Sequence, residues 1–398
     1  MDLTERHDLR TGTPVWAGHA APPPADPLPD RAEIAIVGAG IMGAMLADRL
    51  SRTGHDVVLV DRRPPAAGST AASTALVMWE MDVPLTHLAR TVGVDQAGAS
   101  WRRVYDAVQR LHPKVASVDR AVPRAPTVYL AGDLLDAEGL RAEGQARRRA
   151  GLPSEFLDAR VVADRFGIAP RAALVSDGGY AVDPVTLTCG LLARARSNGA
   201  RLCWPVDALR LDGRAIVTDQ GRLAADRIIL AGGYERARAF LPQAFSLLSS
   251  YAIATAPGAA PCWREDAMLW EASDPYLYCR TDADGRIIAG GEDEDLATPE
   301  TARDRRIGEK AGTIAAKLAR MIGVDDLRID RRWAATFGAS PDGLPAIGRA
   351  RNHEGLWLAS GFGGNGVSFA ALAAELFAAE FAGTPDPLAA AFDPYRFE

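Results

Sequence analysis

The sequence predicts an α/β protein built around a Rossmann-type strand–helix–strand unit, and three observations carry that prediction. A β-branched run, Glu33 to Val37, is followed at once by glycines and a helical stretch, Met42 to Thr53. A second apolar run with strand character, Asp56 to Val60, comes directly after it. Between the first strand and the helix the chain reads Gly38-Ala39-Gly40-Ile41-Met42-Gly43. That spacing is the fingerprint of a dinucleotide site.

Each glycine has a physical role. The turn is tight, backbone N–H groups must approach a pyrophosphate closely, and the helix must lie close on the strand. The helix N-terminus then faces the phosphate charge. Asp61 ends the second strand and is the expected acidic partner for ribose hydroxyls, with Arg62 and Arg63 beside it as further cofactor positions.

Composition bounds the rest. A chain of 398 residues, 48% apolar and 24% charged, allows two domains with a sizeable core. The formal charge of −6 disfavours nonspecific binding to nucleic acid or to an anionic membrane. Lysine is scarce, confined to Lys114, Lys310 and Lys317. Cys189, Cys203, Cys262 and Cys279 show no CxxC spacing, and the histidines show no zinc-binding spacing, so a reduced, metal-free protein is expected. The opening MDLTERHDLR is charged and lacks the apolar stretch of a signal peptide, and no apolar window is long enough to span a membrane, so the expected location is cytoplasmic.

Along the chain, Ala21 to Asp30 holds five prolines in ten residues, so residues 1–30 read as an arm over the surface or a disordered tail. Helices are predicted over 84–112, 137–150, 158–166, 184–198 and 299–323, and a last one over Ser368 to Phe381. Strands are predicted over Arg201 to Leu211, Ala215 to Thr218, Arg227 to Ala231, Tyr251 to Ala256, Arg328 to Thr336 and Gly355 to Ala359. Tyr276 to Thr281 and Arg286 to Ala289 read as a hairpin across the two-residue turn Asp284-Gly285.

Two further segments supply chemistry. Gly68-Ser69-Thr70-Ala71-Ala72-Ser73-Thr74 places small hydroxyl residues where a helix start would offer donors to an anion. Gly361-Phe362-Gly363-Gly364-Asn365-Gly366 lies between a strand and the last apolar helix, so a helix N-terminus there faces a delocalised negative charge.

With these elements in order, the chain resembles the D-amino-acid oxidase-like superfamily of FAD-dependent oxidoreductases, which includes glycine, sarcosine and γ-glutamylputrescine oxidases. The matching stretches are GSTAASTAL from Gly68, GGYAVDPVTL from Gly178, the strand ending at Ala231-Gly232-Gly233, SPDGLPAIG from Ser340 and SGFGGNG from Ser360. Among the branches, the γ-glutamylputrescine oxidase-like sequences look most similar.

The resemblance implies a Rossmann-type FAD-binding domain (31–85, 150–235 and 325–398) interleaved with an α+β substrate domain on an antiparallel or mixed sheet (86–149 and 236–324). It implies FAD contacts at Gly38, Gly40, Ile41, Met42, Gly43, Asp61, Ser69, Thr70, Ser73, Thr74, Gly232 and the 361–366 loop. Val206 would place its backbone against the adenine. The implied reaction is hydride transfer to flavin from a carbon next to an amine nitrogen, followed by imine hydrolysis.

The chain departs from the family at three points. Where amino-acid-oxidising relatives hold a substrate carboxylate with arginine, this chain has Phe337, in the stretch Trp333-Ala334-Ala335-Thr336-Phe337. A bidentate carboxylate clamp needs a guanidinium. Arg280 is the candidate substitute, against the plainer reading of a surface strand arginine. No cysteine lies beyond residue 279, so FAD is expected to be noncovalent. No lysine sits on the strand used by sarcosine oxidase-like enzymes for oxygen, so a dehydrogenase passing electrons to another acceptor stands beside the oxidase reading.

Tyr251, Tyr276 and Tyr278 are candidates to line an amine pocket, with Trp333 and Phe337 as an aromatic wall. The acidic run Glu292 to Asp295 reads as a solvated strand end, to which a polyamine-like substrate would give a second meaning. An NAD(P)H-dependent flavin monooxygenase is a competing reading, although no second G-x-G-x-x-G is present.

Overall fold

The computed structural model describes residues 3, 9–16, 18–118, 122–234, 240–259, 263–295, 300–361 and 363–398. Two sheets organise them. The smaller has the order Ala346–Arg349, Leu356–Ser360, Gly221–Leu230, Arg31–Val37, Val57–Val60, Arg201–Cys203, with Ala215–Thr218 and Ala208–Leu211 added beside Gly221–Leu230. From Leu356–Ser360 to Arg201–Cys203 the pairings are parallel. A parallel sheet is covered on both faces, so its strands are apolar on both sides. Val57–Val60 is accordingly buried at every position.

Helix Ile41–Arg52 packs on this sheet between helices Pro184–Ser197 and Gly366–Phe381. Small residues set the distance. Ala44 and Ala47 are fully buried, and a Cβ on Gly43 would collide with the Gly38 carbonyl. The opposite face is closed by Val206, Ala208, Ile216, Leu223 and Phe240, with Leu3 from the N-terminal arm.

The larger sheet runs Arg10–Gly12, Ile329–Ala339, Ser246–Thr255, Ile287–Asp295, Leu277–Thr281, Met268–Glu271, Arg124–Leu130, Ala173–Ala181, Leu76–Val77, with Ser154–Leu157 paired to Ala173–Ala181. It is mixed: Met268–Glu271 pairs parallel with Arg124–Leu130, and the other pairings are antiparallel. Helix Ile307–Ile322 covers one face, where Ile314, Leu318 and Ile322 follow a four-residue spacing onto Tyr251, Ile253, Cys279, Ile287 and Ala334. Each such side chain contributes roughly 1.5–3 kcal/mol by leaving water.

The interleaving is finer than the sequence segments suggest. Strands Leu76–Val77, Ser154–Leu157, Ala173–Ala181 and Ile329–Ala339, grouped above with the FAD-binding segments, all hydrogen-bond into the larger sheet. The predicted strand 201–211 is two strands, Arg201–Cys203 and Ala208–Leu211. The predicted helix 299–323 is Glu300–Arg305 followed by Ile307–Ile322. The hairpin loop spans residues 282–286 rather than two residues. The Asp282 carboxylate accepts from the N–H groups of Asp284 and Arg286, both at 2.9 Å, and Gly285 takes φ +70°.

The arm is partly built into the fold. Arg10–Gly12 pairs antiparallel with Trp333–Ala335, Trp16 is buried, and its Nε1 donates to the Ser73 carbonyl at 2.7 Å. Gly12 has φ +92° and no room for a Cβ against the Arg332 carbonyl.

Candidate functional site

One cavity, partly open to solvent, is lined by residues of both sheets. At one end it meets two helix N-termini. Gly40, Ile41 and Met42 begin the first helix, and Asn365, Gly366 and Val367 begin the last. Such ends present unpaired N–H groups and a partial positive charge.

The cofactor end is made largely of backbone. Gly38 has φ +119°, and a Cβ there would collide with the Ala231 carbonyl. At Gly40 an added Cβ would meet only the Thr70 side chain, and at Gly366 nothing within 4 Å. The Asp61 carboxylate accepts the Ala39 N–H at 2.7 Å and the Arg63 N–H at 2.8 Å. Burial raises its pKa, and the two N–H groups oppose the shift. Arg62 and Arg63 line this end.

Ser69, Thr70, Ser73 and Thr74 all line the cavity. Thr70 Oγ1 accepts the Ile41 N–H at 3.0 Å, and Ser73 Oγ accepts the Ala75 N–H at 3.1 Å. Ser69 Oγ is buried without a partner. A buried hydroxyl left so costs free energy unless something fills the site. Glycines open to the cavity, an orphaned hydroxyl, two helix starts and a ribose-type carboxylate fit the pyrophosphate and sugar of FAD.

Other cofactor candidates have distinct roles. Val206 lines the cavity, but its N–H already donates to the Asp61 carbonyl at 2.8 Å. Gly43 is not among the lining residues and serves helix packing. Gly232, Gly361, Gly363, Gly364, Asn365 and Gly366 line the cavity, and Phe362 lies outside the described residues.

The 363–368 loop is tied to the segment 78–82. Asn365 Nδ2 donates to the Glu80 carbonyl at 2.7 Å, Ser368 Oγ to the Met78 carbonyl at 2.5 Å, and the Gly364 N–H to Asp82 Oδ2 at 2.6 Å. These ties aim Asp82 into the cavity.

Beyond the loop the cavity is walled by side chains of the larger sheet. Trp333 and Phe337 share one face of strand Ile329–Ala339 by the two-residue period, and both line the cavity. Trp333 Nε1 donates to the Ala72 carbonyl at 2.8 Å. Tyr276 and Tyr278 sit with ring centroids 5.4 Å apart and are joined by Trp270. A Cβ on Gly290, directly across from Tyr278, would strike its ring, so glycine makes room for it.

Two expected site residues aim their polar groups away from the cavity. Tyr251 borders the cavity, but its hydroxyl points to the other face of the sheet and donates to Glu294 Oε1 at 2.5 Å. Strand parity sends Ser250 and Ala252 to the cavity instead. Arg280 is neither a surface residue nor a cavity residue. It is 4% exposed, and its guanidinium donates to the carbonyls of Thr74 and Val182, both at 2.7 Å, and of Thr281 at 3.2 Å. It also stacks on Trp16 with its carbon 4.9 Å from the ring centroid. Desolvation lowers its pKa to about 10, and Asp282 and Asp183 oppose that. It braces the loop carrying Thr74.

The acidic run is not a solvated strand end. A register shift between Ser249 and Tyr251 puts an extra residue into the facing strand, where Ser249 pairs with Glu294 and Tyr251 with Gly291. Such a bulge re-aims side chains. Glu292 and Glu294 turn to the helix layer, near Lys310 at 3.8 and 3.3 Å. Asp293 turns to the cavity, beside Ser250. Its Oδ1 is buried without a hydrogen-bond partner. Burial pushes its carboxyl up to about 7. Asp82 and Asp274 add to the rise, while Ser250 and Lys310 oppose it. Burial also raises Asp82, opposed by the Gly364 N–H and Tyr276.

Sequence reading missed Asp82, Trp270 and Ser250 as site residues. Only Asp293 carried a signal, inside a run whose parity depends on the bulge. The lining holds two cations, Arg62 and Arg63, both at the cofactor end, and no cysteine, histidine or lysine among the described residues.

Comparison with known proteins places this geometry. Residues 33–380 match the family model described as FAD dependent oxidoreductase. The chain is 26% identical over 394 residues to 4-methylaminobutanoate oxidase (formaldehyde-forming) of Paenarthrobacter nicotinovorans, covering 94% of this chain and 46% of that protein. It is 28% identical over 425 residues to the tRNA 5-methylaminomethyl-2-thiouridine biosynthesis bifunctional protein of Burkholderia mallei, covering 96% of this chain and 62% of that one. The chain thus spans about half to three-fifths of these relatives' length.

Among solved structures, L-proline dehydrogenase from P. horikoshii superposes with a TM-score of 0.75 at 20% identity, covering 93% of this chain and 98% of that one. Glycine oxidase from Geobacillus kaustophilus gives 0.72 at 18%, covering 90% and 96%. Both share the fold. With a cofactor end that fits FAD and a family match across most of its length, the chain belongs to the FAD-dependent oxidoreductases of the D-amino-acid oxidase type.

Proposed function

We propose that this protein oxidises the carbon–nitrogen bond of an amine, with noncovalent FAD and with oxygen as electron acceptor. The observation that carries the reading is the continuity of the cavity, from the dinucleotide cradle at Gly38–Asp61, past the 363–366 loop, into a chamber walled by Trp270, Tyr276, Tyr278, Trp333 and Phe337. Neutral aromatic faces suit an amine. The relatives named above are a methylaminobutanoate oxidase, a proline dehydrogenase and a glycine oxidase, which supports the same class. The lack of lining cysteine and histidine among the described residues supports noncovalent attachment.

FAD, when bound, supplies the two-electron acceptor. Ser69, Thr70 and the helix starting at Ile41 would hold its pyrophosphate, Asp61 its ribose, and the 363–366 loop its ring. The chain's other residues position the amine and exclude water. The substrate gives up a hydride from carbon and a proton from nitrogen. Water then converts the imine to a carbonyl compound and an amine, and oxygen takes up two electrons and two protons as hydrogen peroxide.

A dehydrogenase using another acceptor is favoured by one observation: no lysine lines the cavity among the described residues. Anaerobic addition of amines, N-methyl amino acids, D-amino acids and NADPH to the yellow protein, followed by air, tests both. Bleaching by an amine with fast recovery in air and peroxide release is expected. Slow recovery would assign the dehydrogenase, and bleaching by NADPH alone would replace the amine reading with a monooxygenase.

A further inference from the structure

The aromatic chamber has a charge pattern that an α-amino acid does not match. Asp82 and Asp293 both face it, and no cationic side chain does so among the described lining residues, since Arg62 and Arg63 lie at the cofactor end. A substrate carboxylate would meet two acidic side chains and no cation to hold it. Asp82 is already engaged, through Oδ2, by the Gly364 N–H at 2.6 Å, with the Tyr276 hydroxyl beside it. Asp293 differs. Its Oδ1 is buried, takes no hydrogen bond from the protein, and belongs to a side chain that the strand bulge turns into the cavity. An unpaired buried carboxylate oxygen is costly unless a cation or donor meets it.

We infer, building on the amine reading, that Asp293 and the Tyr276 and Tyr278 rings form a subsite for a second, protonated nitrogen, so that the substrate is a di- or polyamine. The reacting nitrogen is not the one held there. An amine must be neutral to release hydride from its carbon, and a carboxylate gripping that same nitrogen would keep it protonated. The ammonium at Asp293 therefore sits on the far end of the substrate, with the tyrosine faces supplying cation–π contact.

The test uses three compounds that differ only at the far end: 1,4-diaminobutane, n-butylamine and 4-aminobutanoate. The six-carbon series, 1,6-diaminohexane, hexylamine and 6-aminohexanoate, is run beside them to cover a longer reach. Flavin reduction is followed anaerobically in the FAD-loaded protein, and half-saturating concentrations are compared. In at least one series the diamine is expected to saturate at a concentration lower than the monoamine by about 10-fold or more, with the amino acid weakest.

Asp293→Asn, checked for bound FAD by its visible spectrum, should bring the diamine-to-monoamine ratio towards one, and Asp293→Glu should keep part of it. Equal saturation of diamine and monoamine in both series, or an Asp293→Asn ratio like that of the wild type, overturns the inference and leaves the amine reading standing. Preference for the amino acids does the same. If none of the six compounds bleaches the flavin, and none of the broader amine panel does, both the inference and the amine reading fail.

Discussion

The two ends of the cavity are built in different ways. The cofactor end is mostly backbone: glycines that allow close approach, two helix starts, and carboxylate and hydroxyl groups a few residues away in sequence. The substrate end is all side chains, brought from segments 82, 250, 270, 276–278, 293 and 333–337 by a mixed sheet. Backbone geometry depends on local sequence, so the first end follows from a short motif. Side-chain direction in a sheet depends on register, and one bulge reverses it. On the reading proposed above, the first end holds the cofactor and the second selects the amine.

If that division holds, the largest effect comes from breaking the backbone end. Gly38→Val places a side chain against the Ala231 carbonyl at φ +119°. Purified protein is expected to carry essentially no flavin, read from the ratio of visible to ultraviolet absorbance, with circular dichroism reporting whether the fold survives. Asp61→Ala removes the buried carboxylate that accepts from Ala39 and Arg63. FAD affinity should fall by about 10- to 100-fold, since a charge-assisted hydrogen bond contributes roughly 1.5–3 kcal/mol. Flavin fluorescence on titration into apoprotein checks it.

Asp293→Asn sharpens the comparison through stability. The folded protein holds a proton on Asp293 up to about pH 7, with Asp82 and Asp274 favouring it and Ser250 and Lys310 opposing it. The unfolded carboxyl ionises near pH 4. The folded state therefore binds the proton more tightly, so this group's contribution is fullest below about pH 4 and declines as pH rises towards 7. Asparagine has no such decline. Without substrate, the variant's stability relative to wild type should rise between pH 5 and pH 8 by about 1–2 kcal/mol, seen as a higher relative Tm at the upper pH. A pH-independent difference would remove Asp293 from the set of buried, cavity-facing acids.

The smallest effect is expected at Tyr251. Its hydroxyl serves Glu294 in the helix layer, so Tyr251→Phe should cost about 1 kcal/mol of stability and change flavin reduction by less than about 2-fold. A large loss of reduction rate with normal flavin content would mean that the hydroxyl reaches the substrate.

Much of the fold was legible because its signals are local. The strand–helix–strand unit, Asp61, the hydroxyl cluster at 69–74 and the glycine loop at 361–366 stand in the positions read from sequence, apart from Phe362, which lies outside the described residues. Trp333 and Phe337, read as an aromatic wall, both line the cavity. The misreadings share one cause. Tyr251 pairs with Gly291 and Asp293 lies in the bulge next to it, whose register no local pattern announces. Arg280 reads as a strand arginine free to point outward, yet it is buried by Trp16, a residue 264 positions away in a proline-rich arm. Asp82 accepts the Gly364 N–H, and Asn365 and Ser368 tie the Glu80 and Met78 carbonyls beside it to the start of the last helix, a long-range arrangement invisible in its neighbours.

The most direct test is an experimental structure of the FAD-loaded protein with a non-oxidisable diamine analogue. The division of the cavity predicts the pyrophosphate against Gly38–Met42 and Ser69–Thr70, the ring beside Gly363–Gly366, and the analogue's far nitrogen on Asp293 between Tyr276 and Tyr278. A ligand whose far end avoids Asp293, or a flavin ring filling the chamber walled by Trp270 and Tyr278, would contradict it.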